Sequence, residues 1–321
     1  MDFPGPRRAR RRAHPPRRRS PLHAVLAVVA VAGVTAGGTV YVKAQAHGSP
    51  RAVSSAASPS ASATAGAGEE ATVEPVTEPA AVDREASLRR VLEKVAVPSG
   101  ARVSAAVLSL DSGESAGYGQ AAFDTASIVK VDILAALLLQ AQDAGRGLTA
   151  AERAYATKMI ENSDNASATE LWHAIGGAKG LDAANERFGM TATTGGSDGL
   201  WGLTQTTAAD QLVLLRQVFG EDSKLSAASR TYVRSLMKRV EADQQWGVSA
   251  AAQGSSWALK NGWLARSTTG LWDVNSIGRV TVDSAVYLVA VLSEGTASQA
   301  RGITLVEAAA KAAVRGFAQA S

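Results

Sequence analysis

The stretch FDTASIVKVDILAALLLQ, residues 123–140, places a serine, Ser127, and a lysine, Lys130, at the front of a strongly apolar helix. Because loop-like residues precede it, Ser127 falls at or near a helix N-terminus, where free N–H groups and the helix dipole favour developing negative charge. Lys130 projects from the same face one turn on, and a partly desolvated lysine there has a lowered pKa and can accept the serine's proton. Alternatively, Ser127 only caps the helix and Lys130 reaches solvent.

A second polar group interrupts the helical middle of the chain. The stretch MIENSDNASATELW, residues 159–172, places Ser163, Asp164 and Asn165 between two helical segments. Short polar side chains in such a break either cap helices or face a shared cleft.

A third group follows a strand pattern near the C-terminus. SWALKNGW, residues 256–263, predicts a short strand that ends in Lys260, Asn261, Gly262 and Trp263. A lysine followed by glycine puts a cation at a sheet edge beside open backbone N–H groups. The alternative is a hairpin turn with a solvated lysine.

The order of periodic segments predicts one α+β domain over residues 83–321. An amphipathic helix is followed by two strands within residues 101–120, with a turn at 111–114. Helices fill residues 127–240, three strands follow, and a last helix runs from Ser298 to about Gln319. Strands at both ends around a helical middle predict an antiparallel sheet that joins the N- and C-terminal strands beside a helical lobe.

The N-terminal part of the chain predicts export. Residues 1–21 hold eight arginines and read as a basic cytoplasmic tail, and residues 22–42 lack charge over a length that can span a bilayer. We expect a transmembrane helix or signal anchor, with the N-terminus inside and the catalytic domain outside. The alternative is a secreted protein, cleaved after Ala46 at an A-x-A pattern. Residues 43–82, rich in Ala, Ser, Pro and Glu, read as a disordered linker.

Composition excludes several classes of function. From His47 onward there are 24 basic and 28 acidic residues, so the expected domain offers no basic surface for nucleic acid. There are no cysteines, and His173 is the only histidine beyond residue 47, so we expect no metal and no cofactor.

Taken together, the motifs S-x-x-K, S-D-N and K-x-G, in this order, resemble those of the penicillin-recognising serine hydrolases, and most closely the class A β-lactamases. The resemblance covers about residues 85–320 and implies the β-lactamase/DD-peptidase fold, with an α+β architecture behind the N-terminal transmembrane helix.

By that resemblance each motif residue takes a role. Ser127 is the nucleophile, Lys130 its base, and Ser163 a relay of a proton to the departing nitrogen. The substrate is bound by the remaining motif positions: Asn165, Lys260, Asn261, Gly262 and Trp263. The backbone N–H groups of Ser127 and Trp263 form the oxyanion hole.

The sequence departs from class A enzymes in ways that bear on activity. Asn261 stands where the family usually has threonine. An amide can still donate to a substrate carboxylate, but its reach and geometry differ, so we expect a different substrate preference. The interval from Ser127 to Ser163 is shorter, which suggests a more open cleft. The loop that normally carries the deacylating glutamate, here within residues 189–211, has none. Glu186 precedes it on a helix, where we expect it on the solvated surface. Asp198 lies in the loop and could substitute for the glutamate, although a glycine-flanked turn also explains it.

These observations predict an exported serine hydrolase. It would act through an acyl-enzyme on β-lactams or on D-alanyl-type amides of cell-wall peptides, and it would deacylate β-lactams slowly. The alternatives are a genuine class A-like β-lactamase and a non-catalytic module that binds a wall fragment or a protein partner. The expected partners are the small-molecule substrate and the bacterial membrane.

Overall fold

The computed structural model describes residues 83–319, and the predicted tail, transmembrane helix and linker lie outside them. The part of the chain so described contains eight α-helices: α1 (Arg84–Leu92), α2 (Val129–Asp143), α3 (Ala150–Glu161), α4 (Asn165–Ala174), α5 (Gly177–Phe188), α6 (Ala208–Phe219), α7 (Ala227–Met237) and α8 (Gln299–Ala318). Within it, no helix is both long and apolar enough to cross a bilayer.

Seven strands complete the described fold: β1 (Arg102–Ser109), β2 (Ser115–Tyr118), β3 (Phe123–Asp124), β4 (Gln205–Thr206), β5 (Trp257–Ala265), β6 (Trp272–Val282) and β7 (Ala285–Thr296). Five of them form an antiparallel sheet in the order β2-β1-β7-β6-β5. The pairing of β1 with β7 joins the N-terminal and C-terminal strands in one sheet, as predicted. The strands β3 and β4 pair separately. The α+β architecture is confirmed.

The sheet is covered on both faces, which creates two apolar cores. Along β7, Val289 and Val291 face α1 and α8, whereas Leu288 and Ala290 face the helical lobe. This alternation follows the two-residue period of a strand.

Helix α2 runs through the centre of the helical lobe. Twelve of its 15 residues are buried, on all sides of the helix. An α-helix that is apolar around its whole circumference packs inside a protein rather than on its surface. The N-terminus of α2 is therefore fixed by packing against several neighbours at once.

The short strand β3 is anchored to the sheet just before Ser127. The side-chain amide of Asn275, on β6, donates to the carbonyl oxygens of Asp124 (2.8 Å) and Thr125 (3.0 Å). Arg266 forms ion pairs with two buried carboxylates, Asp124 and Asp273. Burial raises the pKa of Asp273 to about 6 although Arg266 opposes the shift. These contacts hold the segment that precedes the predicted nucleophile against the β5–β6 end of the sheet.

Candidate active site

Ser127 lies in a 3-10 turn, Ala126–Ile128, that leads directly into α2. The prediction of a helix N-terminus is confirmed, although the α-helix itself begins two residues later, at Val129. Ala126 has a left-handed backbone with φ of 47°, a conformation that costs a non-glycine residue free energy. Such strain is common where a fold presents a reactive side chain.

Lys130 is completely buried, and its amine contacts both of the predicted catalytic serines. Its Nζ lies 3.0 Å from Oγ of Ser127 and 3.1 Å from Oγ of Ser163. It also lies 2.6 Å from the carbonyl oxygen of Ser163 and 2.8 Å from Oδ1 of Asn165. The structure therefore brings the S-x-x-K and S-D-N motifs together around one nitrogen atom.

Burial lowers the pKa of Lys130 to about 7, and the nearby carboxylate of Asp164 opposes that shift. At neutral pH a large fraction of the amine is thus unprotonated, with a lone pair that can accept the hydroxyl proton of Ser127. The alternative in which Lys130 reaches solvent is wrong for this structure, because the residue has no exposed surface.

Ser163 bridges the two lysines of the site. Its Oγ lies 3.0 Å from Nζ of Lys260, in addition to its contact with Lys130. The residue has φ of 55°, so it too is held in the left-handed region. A hydroxyl that contacts two amines can pass a proton in either direction. The left-handed backbone of Ser163 places its hydroxyl between the two amines.

Lys260 lies within β5, which continues to Ala265, so the prediction that the strand ends at this motif is wrong. β5 is nevertheless an edge strand of the sheet, as expected. Lys260 is completely buried, and burial together with the neighbouring Lys130 holds its pKa well below its usual range. An anionic group bound beside Lys260 would restore its charge, because opposite charges favour the ionised form.

Gly262 allows β5 to approach the turn that carries Ser127. A Cβ atom at this position would lie 2.6 Å from the amide nitrogen of Ser127 and 2.8 Å from that of Ile128. Both distances are too short for real Cβ contacts, so a side chain here would push the strand away. Glycine therefore keeps the backbone of the next residue, Trp263, near the nucleophile.

Asn261 uses both of its amide hydrogens inside the protein. Its Nδ2 donates to the carbonyl oxygens of Gln244 (2.8 Å) and Trp246 (2.9 Å), and the residue is 1% exposed. The side-chain amide of Gln244 donates in turn to the carbonyl oxygen of Asn162 (3.2 Å). In this arrangement Asn261 fastens β5 to the segment before it and offers a substrate no free amide hydrogen.

Two other predicted substrate-binding residues border the cleft. Asn165, at the start of α4, is exposed, and its Oδ1 accepts from Lys130. Trp263 is half-buried, and its ring packs against that of Trp246 with 5.9 Å between the ring centroids.

The loop between α5 and β4 brings no carboxylate to the site. Asp198 is exposed in a turn with φ of 52°, and it has no hydrogen bond or ion pair with Ser127 or Lys130. Glu186 is exposed on α5, as predicted. The same loop instead places the indole ring of Trp201 4.9 Å from Nζ of Lys130.

Sequence reasoning missed the residues that position the site. No motif in the sequence marks Trp201, Asn275 or Gln244 as neighbours or supports of the motif residues. Their contacts link positions between 17 and 151 residues apart, so no local pattern reveals them. Within residues 83–319 there is also no group of three or more carboxylate or imidazole side chains that could hold a metal ion.

Comparison with known proteins gives the family to which this chain belongs. The model of the β-lactamase enzyme family matches residues 142–317, more than half of the chain. The protein is therefore a member of the β-lactamase enzyme family, a family of serine hydrolases. A search of curated proteins found no match.

Solved structures show the same fold at low sequence identity. A mutant of PBP-A, captured as an acyl-enzyme with penicillin G, is 21% identical over 73% of this chain and 97% of its own, with a TM-score of 0.62. A class A β-lactamase from Bacteroides cellulosilyticus is 14% identical over 74% and 99%, with a TM-score of 0.64. A β-lactamase from Streptosporangium roseum is 19% identical over 73% and 99%, with a TM-score of 0.61.

The pKa of Lys130 predicts how the reactivity of Ser127 depends on pH. With the unprotonated amine as the predicted base, we expect the rate of Ser127 acylation to rise about tenfold per pH unit below pH 7 and to level off above it. The measurement is the acylation rate constant from pH 5 to 9. The variant Lys130→Arg, which cannot deprotonate in this range, should be inactive throughout. A rate that stays constant across the range would contradict this role.

The contacts of Asn261 predict a cost in stability. In Asn261→Ala the carbonyl oxygens of Gln244 and Trp246 lose their donor, so we expect the free energy of unfolding to fall by about 2–3 kcal/mol. Asn261→Thr, with one hydroxyl hydrogen, should lose roughly half as much. Urea unfolding followed by circular dichroism measures both, and unchanged stability of the alanine variant would show that the fastening contributes nothing.

Proposed function

We propose that the protein forms an acyl-enzyme at Ser127 with β-lactams or with D-alanyl-type amides of cell-wall peptides. The observation that carries this proposal is the 3.0 Å contact between Oγ of Ser127 and Nζ of Lys130, an amine with no exposure to solvent and a pKa of about 7. A serine beside such an amine is an activated nucleophile. The PBP-A relative, trapped as an acyl-enzyme with penicillin G, supports the substrate class.

The acylation step can be followed through this chain's own residues. Oγ of Ser127 attacks the amide carbonyl carbon while its proton moves to the neutral amine of Lys130. The carbonyl oxygen becomes negative and is stabilised by the backbone N–H groups of Ser127 and Trp263. The C–N bond then breaks, and Ser163 delivers a proton to the departing nitrogen, replaced from Lys130 through their 3.1 Å contact.

The charges of the cleft favour a substrate with a carboxylate. Lys130 and Lys260 both contact the hydroxyl of Ser163, and among residues 83–319 neither lysine forms an ion pair with an acidic side chain. A substrate carboxylate beside Lys260 would favour the charged ammonium and form a charge-assisted hydrogen bond. β-Lactams such as penicillins and the D-alanyl ends of wall peptides both carry this group.

We further propose that β-lactams are released slowly. Hydrolysis of the acyl-enzyme needs a base that activates water, and in the described chain no Asp or Glu hydrogen-bonds to Ser127 or Lys130. The side chain of Asp198 is exposed, which argues against its acting in place of the missing glutamate. A genuine β-lactamase would therefore have to use water activated by Lys130. A pure binding module would have no need of the buried amine beside Ser127.

The test is intact-protein mass spectrometry after incubation with penicillin G, beside a Ser127→Ala control. We expect a lasting adduct of one penicillin on the unmodified protein and none on the variant. Consumption of penicillin that depends on Ser127 but leaves no adduct would instead establish a β-lactamase. Neither adduct nor consumption would favour the binding module or a different acyl substrate.

We also propose that the protein is exported and held at the cell membrane by residues 22–42, with its catalytic domain outside. The arginines of the first 21 residues and the uncharged segment after them support this location. Fractionation of expressing cells should place the full-length chain in the membrane fraction, accessible to protease from outside. A soluble form in the medium that begins at His47 would show cleavage instead.

A further inference from the structure

We infer that Trp201 sets the lifetime of the acyl-enzyme, because its indole covers Lys130 and keeps hydrolytic water from that amine. This inference rests on the proposed function and names the residue that makes release slow.

The ring is in position to exclude water. Its centroid lies 4.9 Å from Nζ of Lys130, close enough for the ring to cover the amine whether or not it is protonated. Nζ already has four polar contacts, with Ser127, Ser163 (two atoms) and Asn165. The ring covers a further direction, and Lys130 has no exposed surface. A water molecule can therefore approach Nζ from the side of this loop only if the ring moves.

Trp201 is tied to the helix that carries Asn165. Its Nε1 donates to Oγ1 of Thr169 (3.2 Å), which itself donates to the carbonyl oxygen of Asn165 (3.1 Å). The ring is thus oriented by a hydrogen bond at its edge, while its face lies towards the amine. A phenylalanine at this position would keep a ring but lose the hydrogen bond.

The backbone around Trp201 is fixed against the turn of Ser127. The backbone amide of Thr125 donates to the carbonyl oxygen of Thr204 (2.9 Å), and the hydroxyl of Thr125 donates to the carbonyl oxygen of Gly202 (3.5 Å). The pairing of β3 with β4 continues this attachment on the other side. Displacing the ring therefore means a change of its side-chain rotamer or disruption of this packing.

The chemistry explains why covering Lys130 matters. In hydrolysis the oxygen of water bonds to the acyl carbon, the bond from that carbon to Oγ of Ser127 breaks, and one proton of water must pass to a base. The proton returns to Oγ of Ser127, and the acid leaves. The carboxylate of Asp164 accepts from the amide of Ser167 (2.7 Å) and caps α4. Lys130 is accordingly the base that the described residues place beside the ester.

The experiment measures decay of the penicillin G adduct by intact-protein mass spectrometry in the full chain and in the series Trp201→Phe, Trp201→Leu and Trp201→Ala. We expect acylation in every member and a lifetime that falls with side-chain size, at least about tenfold in the alanine variant. The matched control is Leu200→Ala, which removes the neighbouring side chain of the same loop, 54% exposed. It should leave the lifetime unchanged.

A second readout separates access of water from a loosened loop. Opening the cleft to water should relieve the desolvation that lowers the pKa of Lys130, so the pH midpoint of acylation should rise in Trp201→Ala and not in Leu200→Ala. Unchanged lifetimes across the Trp201 series would overturn the inference, as would equal shortening in the Leu200 control. If the alanine variant fails to fold, the phenylalanine and leucine variants decide the question, and the adduct should have a shorter lifetime in the leucine variant.

The outcomes also distinguish this inference from the proposed function. Absence of any Ser127-dependent adduct on the unmodified protein would overturn both. A stable adduct with the same lifetime in every Trp201 variant would leave the proposed function intact and remove the role of Trp201 alone.

Discussion

The burial of two lysine amines around one serine hydroxyl is the constraint on which the rest of the site depends. Lys130 and Lys260 both contact Oγ of Ser163, and each is completely buried. Removing an ammonium group from water is costly, and the protein limits the cost by lowering both pKa values and by supplying oxygen acceptors. The same burial leaves the amine of Lys130 able to accept a proton near neutral pH, which supports its proposed role as the base for Ser127.

This arrangement requires three elements that are distant in the sequence to meet within hydrogen-bond distance. The turn before α2 brings Ser127, the break before α4 brings Ser163, and the edge strand β5 brings Lys260. Gly262 lets β5 approach the turn, and Asn261 fastens the strand to the segment around Gln244. The strained backbones of the site persist because packing on several sides over-determines them.

The relatives share this fold at sequence identities between 14% and 21%, so the architecture tolerates extensive change in sequence. In this chain the loop between α5 and β4 presents an indole ring to the central lysine. A carboxylate at such a position would pair with the amine and activate water, whereas an aromatic ring contacts the amine and displaces water. The type of residue that this loop presents to the amine is therefore central to the proposed lifetime of the acyl-enzyme, whereas the fold does not depend on it.

The sequence by itself determined the α+β class, the order of the elements and the motif residues, because local periodicity and motif spacing are properties of neighbours in the chain. Strand β1, the turn at 111–114 and the last helix were predicted close to their observed bounds. It misjudged the end of β5, because pairing along β6 extends the strand past the glycine. Only the tertiary structure showed that Asn261 holds β5 in place, that Asn275 anchors the segment before Ser127 and that Trp201 lies over Lys130. These contacts join residues from 15 to 151 positions apart, and their energies depend on burial that arises only once the chain is folded.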